Sequence, residues 1–239
     1  DTAAIRPDPP SQKFRAAWGV GGEFVVMYSG NLGLSQNLGQ VVDAAELMAG
    51  EPVTFVLAGE GASKASLQKR VAERGLTNVR FLPYAPKERL GESLGAADLH
   101  LVTLQAGLAG YIVPSKLYGI LAAGRPYVAA VDADSEVAAL TAEHCCGVRV
   151  SPDSPADLAA AIRRCMTDPA ELARMGQRAR VLAEREFDRV RAAERFRDVL
   201  SAVTARAGEP PTPNRFERPP GCKTSPNTLR LRPDRSPQE

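Results

Sequence analysis

The chain of 239 residues is 44% hydrophobic and 24% charged, the composition of a globular protein with one domain of roughly 200 residues plus tails. Its net charge of +2 is too small for a nucleic-acid footprint, and the excess lies in Ala207–Glu239, leaving residues 1–206 balanced at 24 against 24. No 18-residue apolar run occurs, and two histidines with four cysteines, none in a Cys-x-x-Cys pair, argue against zinc and for reduced thiols in a cytoplasmic protein.

Residues 1–20, with Pro7, Pro9 and Pro10 among polar neighbours, read as a linker or extended arm. Short apolar runs then alternate with helical patterns. The runs are EFVVMY (23–28), VTFVLAG (53–59), NVRFLPY (78–84), DLHLVTL (98–104), PYVAAV (126–131) and GVRVS (147–151). Apolar runs without polar alternation suit strands buried on both faces of a parallel sheet, and the helices between them suit βαβ crossovers. The expectation is an α/β fold, a Rossmann-like doubly wound parallel sheet of about six strands followed by C-terminal helices. SPADLAAAIRRCMTD carries a capping Ser154 and Pro155 at its first position. Two amphipathic helices follow, with Leu, Val, Met and Phe making their core faces. Domain boundaries fall at 1–20, 21–206 and 207–239, the last a Pro- and Arg-rich tail expected to be disordered.

Ligands of an open parallel sheet lie beyond the carboxyl ends of its strands. There the first strand meets SGNLGLSQN, with Gly30 and Gly33 in a turn, and the second meets AGEGASK, with Gly59 and Gly61. Neither has the spacing of a dinucleotide fingerprint, and no P-loop occurs. Each turn alone is ordinary turn chemistry; three such polar loops along one edge suggest a ligand. The fourth strand leads through QAGLAGYIVPSK into a helix over 115–123, with Ser115 as N-cap and Gly124 as C-cap. Lys116 then sits at the exposed N-terminal rim, where the helix dipole disfavours a cation. An anion shared between helix amides and the ammonium makes that placement useful.

Four blocks, YSGNLGLSQNLGQVVDAAELM, FVLAGEGASKASLQ, VRFLPYAPKERLGESLGAADLHLV and GYIVPSKLYGILAAGRPYVA, resemble in this order the donor-binding half of GT-B glycosyltransferases. The resemblance is to group 1, or family 4, of the colanic-acid and O-antigen polysaccharide type, and covers about residues 24–200. It implies retaining transfer from a nucleotide-diphosphate sugar, most often UDP-linked, without a metal cofactor. Gly30, Asn31 and Gly33 inherit the approach to donor phosphates and sugar. Leu82, Pro83 and Tyr84 inherit the base, and Ser115 and Lys116 the diphosphate. Lys116 thereby stabilises the leaving group.

Many members of that family carry a Glu-x7-Glu pair; here Tyr111 and Gly119 stand in its place, and Asn31 and Gln36 replace common phosphate-binding cations. Glu136 is a candidate substitute carboxylate, or a helix-start carboxylate beside a capping Ser135. The resemblance also implies an amino-terminal acceptor-binding half, missing here or carried on a separate chain. Neither His100 nor His144 lies on the ligand edge to replace that half's histidine. The isolated chain is expected to lack transferase activity, with peripheral membrane contact, at the inner face, made through the other half. A nucleotide-sugar binding module without turnover is the alternative.

Overall fold

The computed structural model describes residues 2–7 and 11–207, with side chains through 204. The expected tail lies outside these residues from position 208 onward. The chain divides into two units, Asp1–Phe196 and Arg197–Glu239; of the second, only the end of one helix is described.

All six expected strands form: β1 (Phe24–Ser29), β2 (Val53–Ala58), β3 (Val79–Leu82), β4 (Leu99–Thr103), β5 (Tyr127–Ala130) and β6 (Gly147–Val150). Every pairing is parallel, in the order β3-β2-β1-β4-β5-β6. The helices are α1 (Gln12–Ala17), α2 (Gly39–Leu47), α3 (Lys64–Glu73), α4 (Leu90–Gly95), α5 (Lys116–Ala122), α6 (Glu136–His144), α7 (Pro155–Thr167), α8 (Pro169–Glu186) and α9 (Arg189–Ala207).

Alternate residues of β1, β2, β4 and β5 serve cores on opposite faces of the sheet, as the two-residue period of a pleated strand requires. Val26, Phe55 and Leu101 pack with Val42 of α2 and Leu158 and Ile162 of α7. Val102 and Tyr127 pack with Leu117 and Leu121 of α5 and Leu182 of α8. Both faces are therefore covered, which is why the strand sequences lack polar alternation.

Three details depart from the sequence reading. Residues 12–17 are helical rather than an extended arm, and Arg15 anchors them at the amino ends of β1 and β4. Its guanidinium pairs with Asp98 at 2.7 Å and donates to the Ala96 carbonyl at 2.9 Å, while Trp18 is buried beside Met27. Ser154 makes no capping bond, and its hydroxyl donates to Asp157. On α9, Val190 and Phe196, expected on a core face, are exposed.

The two ends of α5 behave differently. Its C-terminus closes as expected: the Gly124 amide donates to Leu121 and the Arg125 amide to Ile120, with Gly124 at φ +62°. That left-handed turn is the one glycine accepts most readily.

His100 is fully buried in β4, and its Nε2–H donates to the Leu94 carbonyl at 3.0 Å. Burial pushes its pKa down to about 4, so it stays neutral in the fold. The unfolded chain binds this proton first, so stability present above pH 6.5 is lost as pH falls from 6.5 toward 4. Melting temperatures across that window are expected to fall, and to fall less in His100→Asn.

Candidate active site

The carboxyl ends of β1, β3 and β4 surround a cleft of about 750 Å³. It lies where the strand order reverses between β1 and β4, the place at which such sheets bind ligands. The β1 side supplies Tyr28, Ser29, Gly30 and Asn31; the segment after β3 supplies Tyr84, Ala85 and Lys87. Thr103 and Leu104 close the β4 side, and Ile112–Lys116 with Gly119 form the far wall.

The loop after β1 is pinned from three directions. Its Gly30 amide donates to Ala58 at 2.9 Å and its Leu32 amide to Glu60 at 2.8 Å. Thr103 Oγ1 donates to the Gln36 carbonyl at 2.6 Å, while Gln36 Oε1 accepts from the Gly33 amide at 3.1 Å. Position 59 sets how closely the first two loops approach. A Cβ there would lie 2.0 Å from the Gly30 carbonyl oxygen, on a backbone with φ +147°. Gly61 packs in the same way against Asn31 and Leu32.

Lys116 does not stand at the exposed rim. It is half-buried, and its Nζ lies 3.5 Å from the centroid of the Tyr28 ring. Burial pulls its pKa down to about 7. Among the described residues no Asp or Glu lines the cleft, so the ammonium has an aromatic face and, of these residues, no carboxylate beside it. Ser115 occupies the N-cap position in a helical conformation and makes no capping bond. The amides of Leu117 and Tyr118 are taken locally by the Pro114 and Ser115 carbonyls.

The sequence-derived candidates separate into groups. Gly30, Asn31, Tyr84, Ser115 and Lys116 converge on the cleft. Gly33, Gly59 and Gly61 stand behind the loop they shape, and Leu82 and Pro83 lead up to Tyr84 without lining the cavity. Glu136 is exposed at the start of α6, with Ser135 Oγ accepting from the Ala138 amide, the geometry of a helix-start carboxylate. His100 is buried and His144 lies away from the cleft. The sequence reading missed Tyr28, Lys87 and Thr103. Tyr28 carried one signal, a phenol near the carboxyl end of the apolar strand FVVMYS.

This is a Rossmann-like domain with a cationic cleft at its strand switch, the architecture of the GT-B glycosyltransferases. Residues 10–182 match the family described as glycosyl transferases group 1, and the chain belongs to that family. It is 36% identical over 174 residues to WcaI of Escherichia coli strain K12, which carries the name of a colanic acid biosynthesis glycosyl transferase; the match covers 72% of this chain and 42% of WcaI. It is 31% identical over 138 residues to WbjE of Pseudomonas aeruginosa, named as a glycosyltransferase, covering 58% and 34% of the two chains. The chain thus spans less than half the length of these relatives. Its fold is shared with Anabaena HepE, solved with UDP-glucose, at a TM-score of 0.72 and 24% identity over 84% of this chain and 55% of HepE. It is also shared with the C-terminal domain of the group 1 family protein LpcC from Francisella tularensis, at a TM-score of 0.65 and 18% identity, covering 79% and 98%.

The close approach of the first two loops gives a direct test. Gly59→Ala forces the Gly30 carbonyl away and strains a left-handed backbone, and is expected to cost roughly 2–4 kcal/mol in urea unfolding.

Proposed function

We propose that this chain is the donor-binding half of a retaining glycosyltransferase that takes a nucleotide-diphosphate sugar, a UDP-sugar, in cell-surface polysaccharide assembly. The observation that carries the reading is Lys116, a half-buried cation facing a glycine-bearing loop across a cleft that no carboxylate lines among the described residues. Family membership supports it, as does the fold shared with HepE, a protein solved with UDP-glucose. The match to nearly all of a C-terminal domain of a group 1 protein supports the assignment to one half.

In this reading the diphosphate lies between Lys116 and the loop of Gly30 and Asn31, whose backbone Gly33 shapes. The Ser115 and Lys116 amides meet it from the wall, since the next two amides are already bonded. Tyr84 offers an exposed ring to the base, at the end of Leu82-Pro83-Tyr84. When the glycosidic bond to phosphate breaks, negative charge grows on the leaving diphosphate. A fixed ammonium in a partly desolvated cleft stabilises that charge more than the ground state, which is its contribution to rate. This assignment needs no metal, and it gives Glu136 no role. The acceptor belongs to an amino-terminal GT-B half, and the chain alone binds donor without transferring sugar. The reading places the protein in the cytoplasm, with membrane contact at the inner face made by that other half; among the described residues no helix is long and apolar enough to cross a membrane.

Calorimetric titration with UDP, GDP and ADP, without metal, tests the reading. UDP is expected to bind, and Lys116→Ala to weaken it about 10- to 100-fold, the scale of a charge-assisted hydrogen bond. Silence from all three nucleotides with folded protein would refute it.

The lowered pKa of Lys116 adds a pH signature. A bound diphosphate favours the ammonium, so above pH 7 binding must draw a proton onto Lys116. UDP affinity is expected to fall by up to about tenfold per pH unit above 7, with proton uptake visible as a dependence on buffer ionisation heat. Lys116→Ala should abolish both effects.

A further inference from the structure

Tyr28 is a fully buried side chain that touches both parts of the proposed phosphate site. Its ring lies under the Lys116 ammonium, 3.5 Å from centroid to Nζ. Its hydroxyl donates to the Asn31 carbonyl at 2.8 Å, tying the end of β1 to the loop that follows. Gly30 lies between the two: a Cβ there would be 3.1 Å from Lys116 Cε and 3.7 Å from the Tyr28 hydroxyl.

We propose that Tyr28 is a positioning residue for the anion site, its ring fixing the Lys116 ammonium and its hydroxyl fixing the backbone of the facing loop. A lysine stem has four rotatable bonds and wanders unless something holds its tip. A carboxylate would hold it, but would neutralise it and compete with an incoming phosphate. An aromatic face attracts the cation through its quadrupole while leaving the three N–H donors and the net charge for a ligand. The other titratable groups facing the cleft are Tyr84 and Lys87, both from the segment after β3; Glu136 is exposed and outside it. Burial, with a smaller push from Tyr84, raises the Tyr28 phenol well above its ordinary range, so its hydroxyl remains a donor. The use of this pair for a sugar donor rests on the function proposed above; the pair itself is readable without any nucleotide.

The test is NMR of lysine side chains labelled at Cε, with the Lys116 signal assigned by its loss in Lys116→Ala. In the wild type the Lys116 Hε protons are expected to be shifted upfield by the Tyr28 ring. Tyr28→Phe should keep that shift and the titration midpoint, yet weaken UDP binding severalfold at every pH. Tyr28→Leu should lose the upfield shift and lower the midpoint by about 0.5–1.5 pH units. Its UDP affinity should then suffer more at pH 8 than at pH 6. No upfield shift in the wild type overturns the proposal without any variant. So does an unchanged or raised midpoint in folded Tyr28→Leu, or wild-type affinity in Tyr28→Phe. Inorganic pyrophosphate, titrated beside UDP, separates the two readings. Pyrophosphate binding that responds to Tyr28 while UDP stays silent overturns the sugar-donor reading alone, and binding of neither overturns both.

Discussion

Nothing but hydrogen can occupy the space between residue 59 and the Gly30 carbonyl, and the carboxyl edge of the sheet is arranged around that fact. Because the two backbones touch, the loop after β1 lies over the end of β2 instead of projecting into solvent. Gly30 is thereby pressed toward Lys116, and Asn31 is brought to where the Tyr28 hydroxyl can hold its carbonyl. A side chain at 59 would push the loop outward and enlarge the distance across which one ammonium has to act. The chemistry of the cleft thus begins with a packing requirement made outside it.

Parallel strands buried on both faces leave a plain record, because every residue of VTFVLA or LHLVT must suit an apolar neighbour on one side or the other. Six strands, their parallel sense and the covering helices were all legible for that reason. Short-range capping was less so: Ser115 and Ser154 have the right chemistry in the right place, but neither makes the bond. A cap depends on local backbone angles, which residue type alone does not set. The helix at residues 12–17 was hidden because its anchor is remote, an arginine answering Asp98 eighty-three positions away.

The site was legible in part. Glycines and a lysine at strand ends stand out in a list of residues, and five of the eleven candidate positions meet in one cleft. The direction of the Lys116 side chain was not readable, since helical periodicity places a residue on a face without saying where four methylenes will carry the charge. Its partner was harder still. An aromatic residue in a buried strand is ordinarily core, and Tyr28 is core as well; only the fold shows that its ring surface also underlies the cleft.

The first described residues close a clasp. Thr2 bonds Asp188 through both its amide and its hydroxyl, and Arg180 gathers the carbonyls of Thr2, Ile5 and Ala122. The first described residues and the end of α8 are therefore held at nearly one point, where Ile5 packs on the core under β4 and β5 and Arg180 reaches the last residue of α5. A pull on those first residues would therefore be passed to α5, the helix whose opposite end carries Lys116 into the cleft.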